Sequence, residues 1–189
     1  VGIYFTWADC KAQVDDFPGA VYKGFATAEE AAGFIEGITA EPAEADVSQY
    51  AYVDGSFNAD TGVYGYGGFL VAYGESHVLQ GSGDDPELAE MRNVAGEIAG
   101  SMAAMKKALE LGLDELTIYY DYMGIEMWAS GQWKRNKRGT MEYYDFVRQI
   151  RKQLALHFVK VKGHSGIAGN EKADALAKEA VGLAALAQN

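Results

Sequence analysis

Residues 114–131, DELTIYYDYMGIEMWASG, decide how the rest of the chain is read. The first eight residues are a strand: apolar and β-prone, closing on Asp121. The next ten, from Tyr122, read as a short helix. A strand that ends in an acid and turns into a helix is a unit of an α/β fold. Working outward, YAYVDGSF (50–57) is a second strand, with alternating faces and its own acid, Asp54. TGVYGYGGFLVAYG (61–74) and SHVLQGSGD (76–84) are two more strands joined by a turn near Gly74. ELAEMRNVAGEIAGSMAAMKKALELG (87–112) is expected as one long helix, with Met91, Val94, Ala95, Ile98, Met102 and Met105 as its apolar stripe. Downstream, MEYYDFVRQIRKQLA (141–155) is a helix, HFVKVKG (157–163) a strand, and NEKADALAKEAVGLAALAQ (170–188) a last helix. The order βββαβααβα implies an α/β core on a mixed sheet.

Composition limits the function classes. The chain has 189 residues, 49% of them hydrophobic, enough for one well-cored domain and a small one. It has one cysteine, Cys10, so no disulfide forms within the chain. No apolar run reaches the ~18 residues of a membrane span. No signal peptide is visible, and the expected location is the cytoplasm. The formal net charge of −11 argues at first against nucleic acid. Its distribution argues otherwise. Residues 1–48 carry two lysines against nine acids, whereas residues 134–162 carry nine basic residues against two acids, Glu142 and Asp145. Such a basic patch on an acidic chain suits a phosphate backbone.

The segment 38–48, ITAEPAEADVS, has no usable period and reads as an acidic linker. It divides a module at 1–37 from a domain at 49–189. The module alternates strand-like GIYFTW, helical ADCKAQVDDF, strand-like AVYKGFA and helical TAEEAAGFIEG.

Four carboxylates stand in separate settings: Asp54, Glu97, Asp121 and Asp174. Asp54 and Asp121 end strands, so adjacent central strands bring them side by side. Glu97 is mid-helix beside the apolar stripe, where a charge needs a partner. Four converging acids repel one another and ionise together only around a cation. Mg²⁺ suits them, being hard, oxygen-seeking and hydrated. Scattered surface acids are the alternative.

The segment Tyr50–Gly182 resembles the type 1 ribonuclease H domain. The resemblance rests on VDGS around Asp54, NVAGE around Glu97, YYD at Asp121 and, most specifically, GHSGIAGNEKADALA around Asp174. It implies a ribonuclease H-like mixed five-stranded sheet flanked by helices, and a metal-dependent endoribonuclease that cuts the RNA strand of RNA/DNA hybrids to 5′-phosphate and 3′-hydroxyl products. By that resemblance two Mg²⁺ ions, which Mn²⁺ replaces in some settings, sit roughly 4 Å apart. Asp54 bridges them, Glu97 and Asp121 hold the nucleophile-side ion, and Asp174 holds the leaving-group side. His164, in the glycine-flanked loop, takes a proton-handling or product-release role. Glu171 reaches toward the ions or serves the helix N-terminus after Asn170 as cap. Gly55–Asn58 and Met123 face the minor groove, and Asn93 belongs to a DNA-phosphate pocket. Arg92 stands where the family often has Thr, and Tyr122 where it commonly has Ser. WASGQWKRNKRGT (128–140) resembles a shortened basic protrusion, with Trp133 and Trp128 as candidate channel aromatics, Trp128 alternatively as core packing, and Lys134, Arg135, Lys137 and Arg138 for phosphates.

The N-terminal module resembles the hybrid-binding, viroplasmin-like domain through TWADCKAQVDDFPGAVYKGFATAEEA (6–31). Trp7 and Tyr22 match its stacking aromatics and Lys23 its phosphate contact, a platform that binds without reading sequence. The family strand that precedes GIYFTW is absent here, and a basic slot is Gly24. The expected partner is an RNA/DNA hybrid, with no membrane and no obligate protein partner. A non-catalytic binder of hybrids or double-stranded RNA, working through this module, is the alternative class. The four intact carboxylates oppose it.

Overall fold

The computed structural model describes residues 3–14, 48–163 and 167–183. The chain divides into two compact units, Val1–Asp46 and Val47–Asn189. In the first, helix α1 (Trp7–Val14) is described. Thr6 starts it: the Asp9 amide donates to the Thr6 hydroxyl at 3.2 Å, and that hydroxyl donates to the Asp9 carboxylate at 2.6 Å. This is a local cap that satisfies one of the helix's free donors. Trp7 is 57% exposed and Phe5 87% exposed.

The second unit is built on a five-stranded sheet. Its strands are β1 (Tyr50–Asn58), β2 (Val63–Ala72), β3 (Glu75–Gly83), β4 (Glu115–Tyr120) and β5 (Ala155–Lys160), in spatial order β3-β2-β1-β4-β5. The first three pair antiparallel and the last two join parallel. The β2–β3 turn holds Tyr73 and Gly74 at φ of 53° and 78°, the left-handed pair a two-residue hairpin needs.

Alternation sorts the sheet's two faces. Ala51, Val53, Leu70, Ile118 and Tyr120 join the larger core, with α3 (Asn93–Glu110) and α5 (Arg138–Ile150). Tyr52, Phe69 and Tyr119 face the other way, with Ala173 of α6 (Ala168–Ala180). Tyr52 and Tyr119 stack there, ring centroids 4.6 Å apart. Each fully buried aliphatic side chain here contributes on the order of 1.5–3 kcal/mol.

The long helix expected over 87–112 is two helices, α2 (Pro86–Ala89) and α3. Between them Arg92 adopts φ 55°, ψ −132°, which no helix accommodates. The apolar stripe continues across the break, because Met91 is buried on the same core, so periodicity hides it. The last helix begins at Ala168, so Asn170 is inside it and buried rather than its cap, which corrects the expectation. Helix α5 starts at Arg138, about one turn before the expected Met141.

Candidate active site

Register brings the first and third acids together. Tyr50, Ala51 and Tyr52 pair with Thr117, Ile118 and Tyr119 in parallel. Carried two residues further, the same offset sets Asp54 beside Asp121. Glu97 comes from α3, and the close approach of that helix depends on glycine. A β-carbon on Gly96 would overlap the Gly65 carbonyl and come within 3.0 Å of the Gly55 Cα. One on Gly55 would strike the backbone of Asn93 and Glu97. Two bare main chains therefore touch, and Glu97 is brought over β1 beside Asp54.

Carboxylate oxygens of Asp54, Glu97 and Asp121 lie within 4.8 Å of one another. Asp54 is 8% exposed and Glu97 2%. The Gly55 amide donates to Asp54 Oδ1 at 2.7 Å. Glu97 Oε2 is buried with no hydrogen-bond partner. Burial, against the lowering effect of its hydrogen bond with Glu97, lifts the Asp54 carboxyl to about 6, and the charges of Asp121 and Asp174 push the same way. Burial first, then the charges of Asp54 and Asp121, raises Glu97 well above the usual carboxylate range. A buried acid with an orphaned oxygen, facing two more acids, fits a cation: oxygen donors only, negative charge in excess, and an open side.

Asp174 lines the same pocket from α6, together with Gly55, Asn93, Tyr122 and Gly163. It stands apart from the trio chemically, because Lys178 Nζ donates to its Oδ2 at 2.7 Å. Gly163 backs the third acid: a β-carbon there would sit 2.7 Å from Asp121 Oδ2. Tyr122 stacks obliquely on Trp128 at 5.8 Å, and its phenol pKa is raised by burial and then by the Glu97 charge. Sequence reasoning noted Tyr122 only as a departure and missed Lys178 and Gly163. The Lys178 signal was readable, one helical turn past Asp174.

The remaining expected residues divide. Asn93 is exposed at the pocket wall, and Met123 is 38% exposed at the start of α4 (Gly124–Ala129). The Arg92 guanidinium lies 5.1 Å over the Phe57 ring. Trp133 is 40% exposed, edge-on to buried Trp128. Trp128 Nε1 donates to the Lys134 carbonyl at 3.3 Å, and Arg135 Nη1 donates to the Trp133 carbonyl at 2.9 Å, so the basic segment is braced on itself.

Two expectations are corrected. Asn58 is buried; its amide donates to the Val181 carbonyl at 2.9 Å and its oxygen accepts from Asp60, so the side chain ties β1 to the end of α6 instead of facing a groove. Arg138 is absorbed by acids: 2.5 Å to Asp85, 3.2 Å to Glu87 and 3.8 Å to Glu142. His164, Tyr22 and Lys23 lie outside the described residues.

Residues 46–182 match the RNase H family model, and residues 1–35 match the model described as the Ribonuclease H1 N-terminal domain. The chain belongs to the ribonuclease H family. Among curated relatives of this ribonuclease H, Ribonuclease H1 of Rattus norvegicus is 27% identical over 244 residues, covering 94% of this chain and 85% of its own. Ribonuclease H of Francisella tularensis subsp. novicida is 30% identical over 142 residues, 69% of this chain and 89% of its own. Among solved structures, RNase H1 of the halophilic archaeon Halobacterium salinarum aligns at TM-score 0.55 and 26% identity, over 70% of this chain and 96% of its own. LC11-RNase H1, solved in complex with an RNA/DNA hybrid, aligns at 0.57 and 20% identity, over 71% of this chain and 96% of its own; at that identity the likeness is one of fold.

Proposed function

We propose that this ribonuclease H hydrolyses the RNA strand of RNA/DNA hybrids with divalent cations, leaving 5′-phosphate and 3′-hydroxyl ends. One observation carries the reading: three carboxylates within 4.8 Å, one with an orphaned buried oxygen. Bound Mg²⁺ supplies charge neutralisation and a water of lowered pKa in such sites, two ions being the expected number. Asp54, Glu97 and Asp121 hold the preassembled side. Asp174, now paired with Lys178, would complete the cation site from α6. Asn93, Gly55 and Met123 line the approach of the minor groove, where the 2′-hydroxyl distinguishes RNA from DNA. Trp133, Lys134 and Arg135 take the DNA backbone, and Arg92 takes a phosphate beside Phe57. His164 handles a proton or speeds product departure, and His164→Ala slows turnover by about a hundredfold or more. Residues 1–37, through Trp7, Tyr22 and Lys23, add a second hold on long hybrids.

The names of the relatives and the hybrid-bound fold neighbour support this reading. The test uses labelled RNA/DNA hybrid, duplex RNA and duplex DNA, each with Mg²⁺, Mn²⁺ or EDTA. Cleavage of the hybrid's RNA strand alone, lost in EDTA, is the expected outcome. Binding of hybrid without cleavage in either metal would replace the enzyme reading with that of a binding protein.

A further inference from the structure

The nine basic residues of 134–162 have different fates. Arg138 is neutralised by Asp85 and Glu87. Helix α5 and its two capping residues place three of the others, Lys137, Arg148 and Arg151. Its inward face is marked by buried Gly139, Thr140, Tyr143, Val147 and Ile150. At 3.6 residues per turn, Lys137, Met141, Tyr144, Arg148 and Arg151 fall on one flank, roughly 80–160° round from that face. Glu142 falls on the far side with Arg138, and Asp145 lies between that side and Arg148, about 60° from the latter. Phe146 meets Lys106 of α3, 5.5 Å from its ring centroid.

The side chains bear the sorting out. The Arg135 guanidinium lies 4.0 Å over the Tyr144 ring, and that of Arg148 lies 5.7 Å from the same ring. Among the described residues, Lys137, Arg148 and Arg151 have no ion pair, on a chain of net charge −11. Tyr144 thus joins the braced basic segment, through Arg135, to a strip of unneutralised cations running down the helix. Arginines resting on a ring also lose less freedom when they bind.

We propose that this flank of α5 is a phosphate track that continues the basic segment and holds the backbone of the hybrid beyond the nucleotides at the pocket. The proposal rests on the function given above and extends its substrate path. From Lys137 to Arg151 the track is about 21 Å long at 1.5 Å per residue. That matches about six base-pair steps at 3.4 Å. Only a duplex reaching well past the pocket can use it.

The test compares binding of 10- and 30-base-pair RNA/DNA hybrids across a salt series, in an Asp54→Asn background so that substrate survives. Arg148→Ala/Arg151→Ala removes two track charges. Lys106→Ala/Lys107→Ala removes two charges on α3, outside the basic segment, and serves as control. Thermal midpoints establish that both fold. On the 30-mer, the track variant flattens the slope of log K against log salt by about 1.8, at about 0.9 per phosphate contact. Its slope on the 10-mer changes by less than a third of that, and the control changes neither. An unaltered 30-mer slope overturns the track. So does an equal loss on both lengths, or a control that acts as strongly, since either reduces the effect to net charge. Tighter 30-mer binding by the track variant overturns it as well, by showing an acidic occupant on the flank. Wild-type cleavage of the 10-mer tests the proposed function separately: if the wild type cuts it and the slope does not move, the track alone falls.

Discussion

The two walls of the pocket solve the problem of concentrated negative charge in opposite ways. On one wall Asp54, Glu97 and Asp121 crowd within 4.8 Å, and burial lifts the first two acids' pKa values. On the other, Asp174 is a quarter exposed and carries its own counter-charge, Lys178, at 2.7 Å. The first wall stores unfavourable energy that a bound cation releases. The second is already balanced, and a cation arriving there must displace an ammonium. The two walls should therefore differ in what their removal does to rate, to stability and to ion affinity.

The largest difference is in rate. Asp54→Asn should cut hydrolysis by about a thousandfold or more, several kcal/mol of transition-state stabilisation, while hybrid binding survives. Turnover and binding of the purified variant settle it, and near-normal turnover would remove Asp54 from the centre of the first wall. Next comes stability. Glu97→Gln relieves the repulsion, so its thermal midpoint in EDTA should exceed that of the wild type, about 1 kcal/mol appearing as roughly 2–4 °C. Mg²⁺ should raise the wild-type midpoint far more than the variant's. A variant less stable than the wild type in EDTA would mean that the cluster is not strained.

The pH dependence follows with a definite sign. Asp54 has a folded-state pKa of about 6 against an ordinary 3.8, so between these values the folded chain holds a proton that the unfolded chain has released. Metal-free stability therefore falls as pH rises from about 4 to about 6, and Glu97, raised in the same direction, extends the fall upward. Denaturant midpoints across that range should show the decline in wild type and its flattening in Asp54→Asn. The smallest effect belongs to the second wall. Lys178→Met frees Asp174 from a half-exposed ion pair, the kind worth about 0–1 kcal/mol. Calorimetric Mg²⁺ titration should find the weaker binding event tightened, by up to about fivefold. No change there would mean that Lys178 leaves Asp174 without cost.

What the sequence showed and what it hid follows the range of each interaction. Asp54 and Asp121 were readable because each follows an apolar run, although only Asp121 ends its strand and β1 continues past Asp54 to Asn58, and Trp128 was readable as core. Asn58 misled because its partner, the Val181 carbonyl, is 123 residues away. Arg138 misled because Asp85 is 53 residues away, capping the short helix α2 that precedes the break at Arg92. That break in turn was masked by a stripe that keeps its period across it. Asn170 has the composition of a cap but lies inside α6. Local pattern gives elements and the acids that follow apolar runs; the side chains that only brace the fold are decided by partners brought in by topology.

The contact of Gly55 with Gly96 has a consequence for tolerance. The gap between the first acid and the second is set by main chain resting on main chain, with no side chain as a spacer. Rotamer changes and repacking elsewhere in the core leave that gap as it is. Its dimension is also the one that separates a cation with oxygens at 2.0–2.1 Å from one with oxygens at 2.3–2.6 Å. A single added methyl group at either glycine exceeds the clearance. The fold thus holds its ion-sized aperture with the two residues that have nothing left to lose.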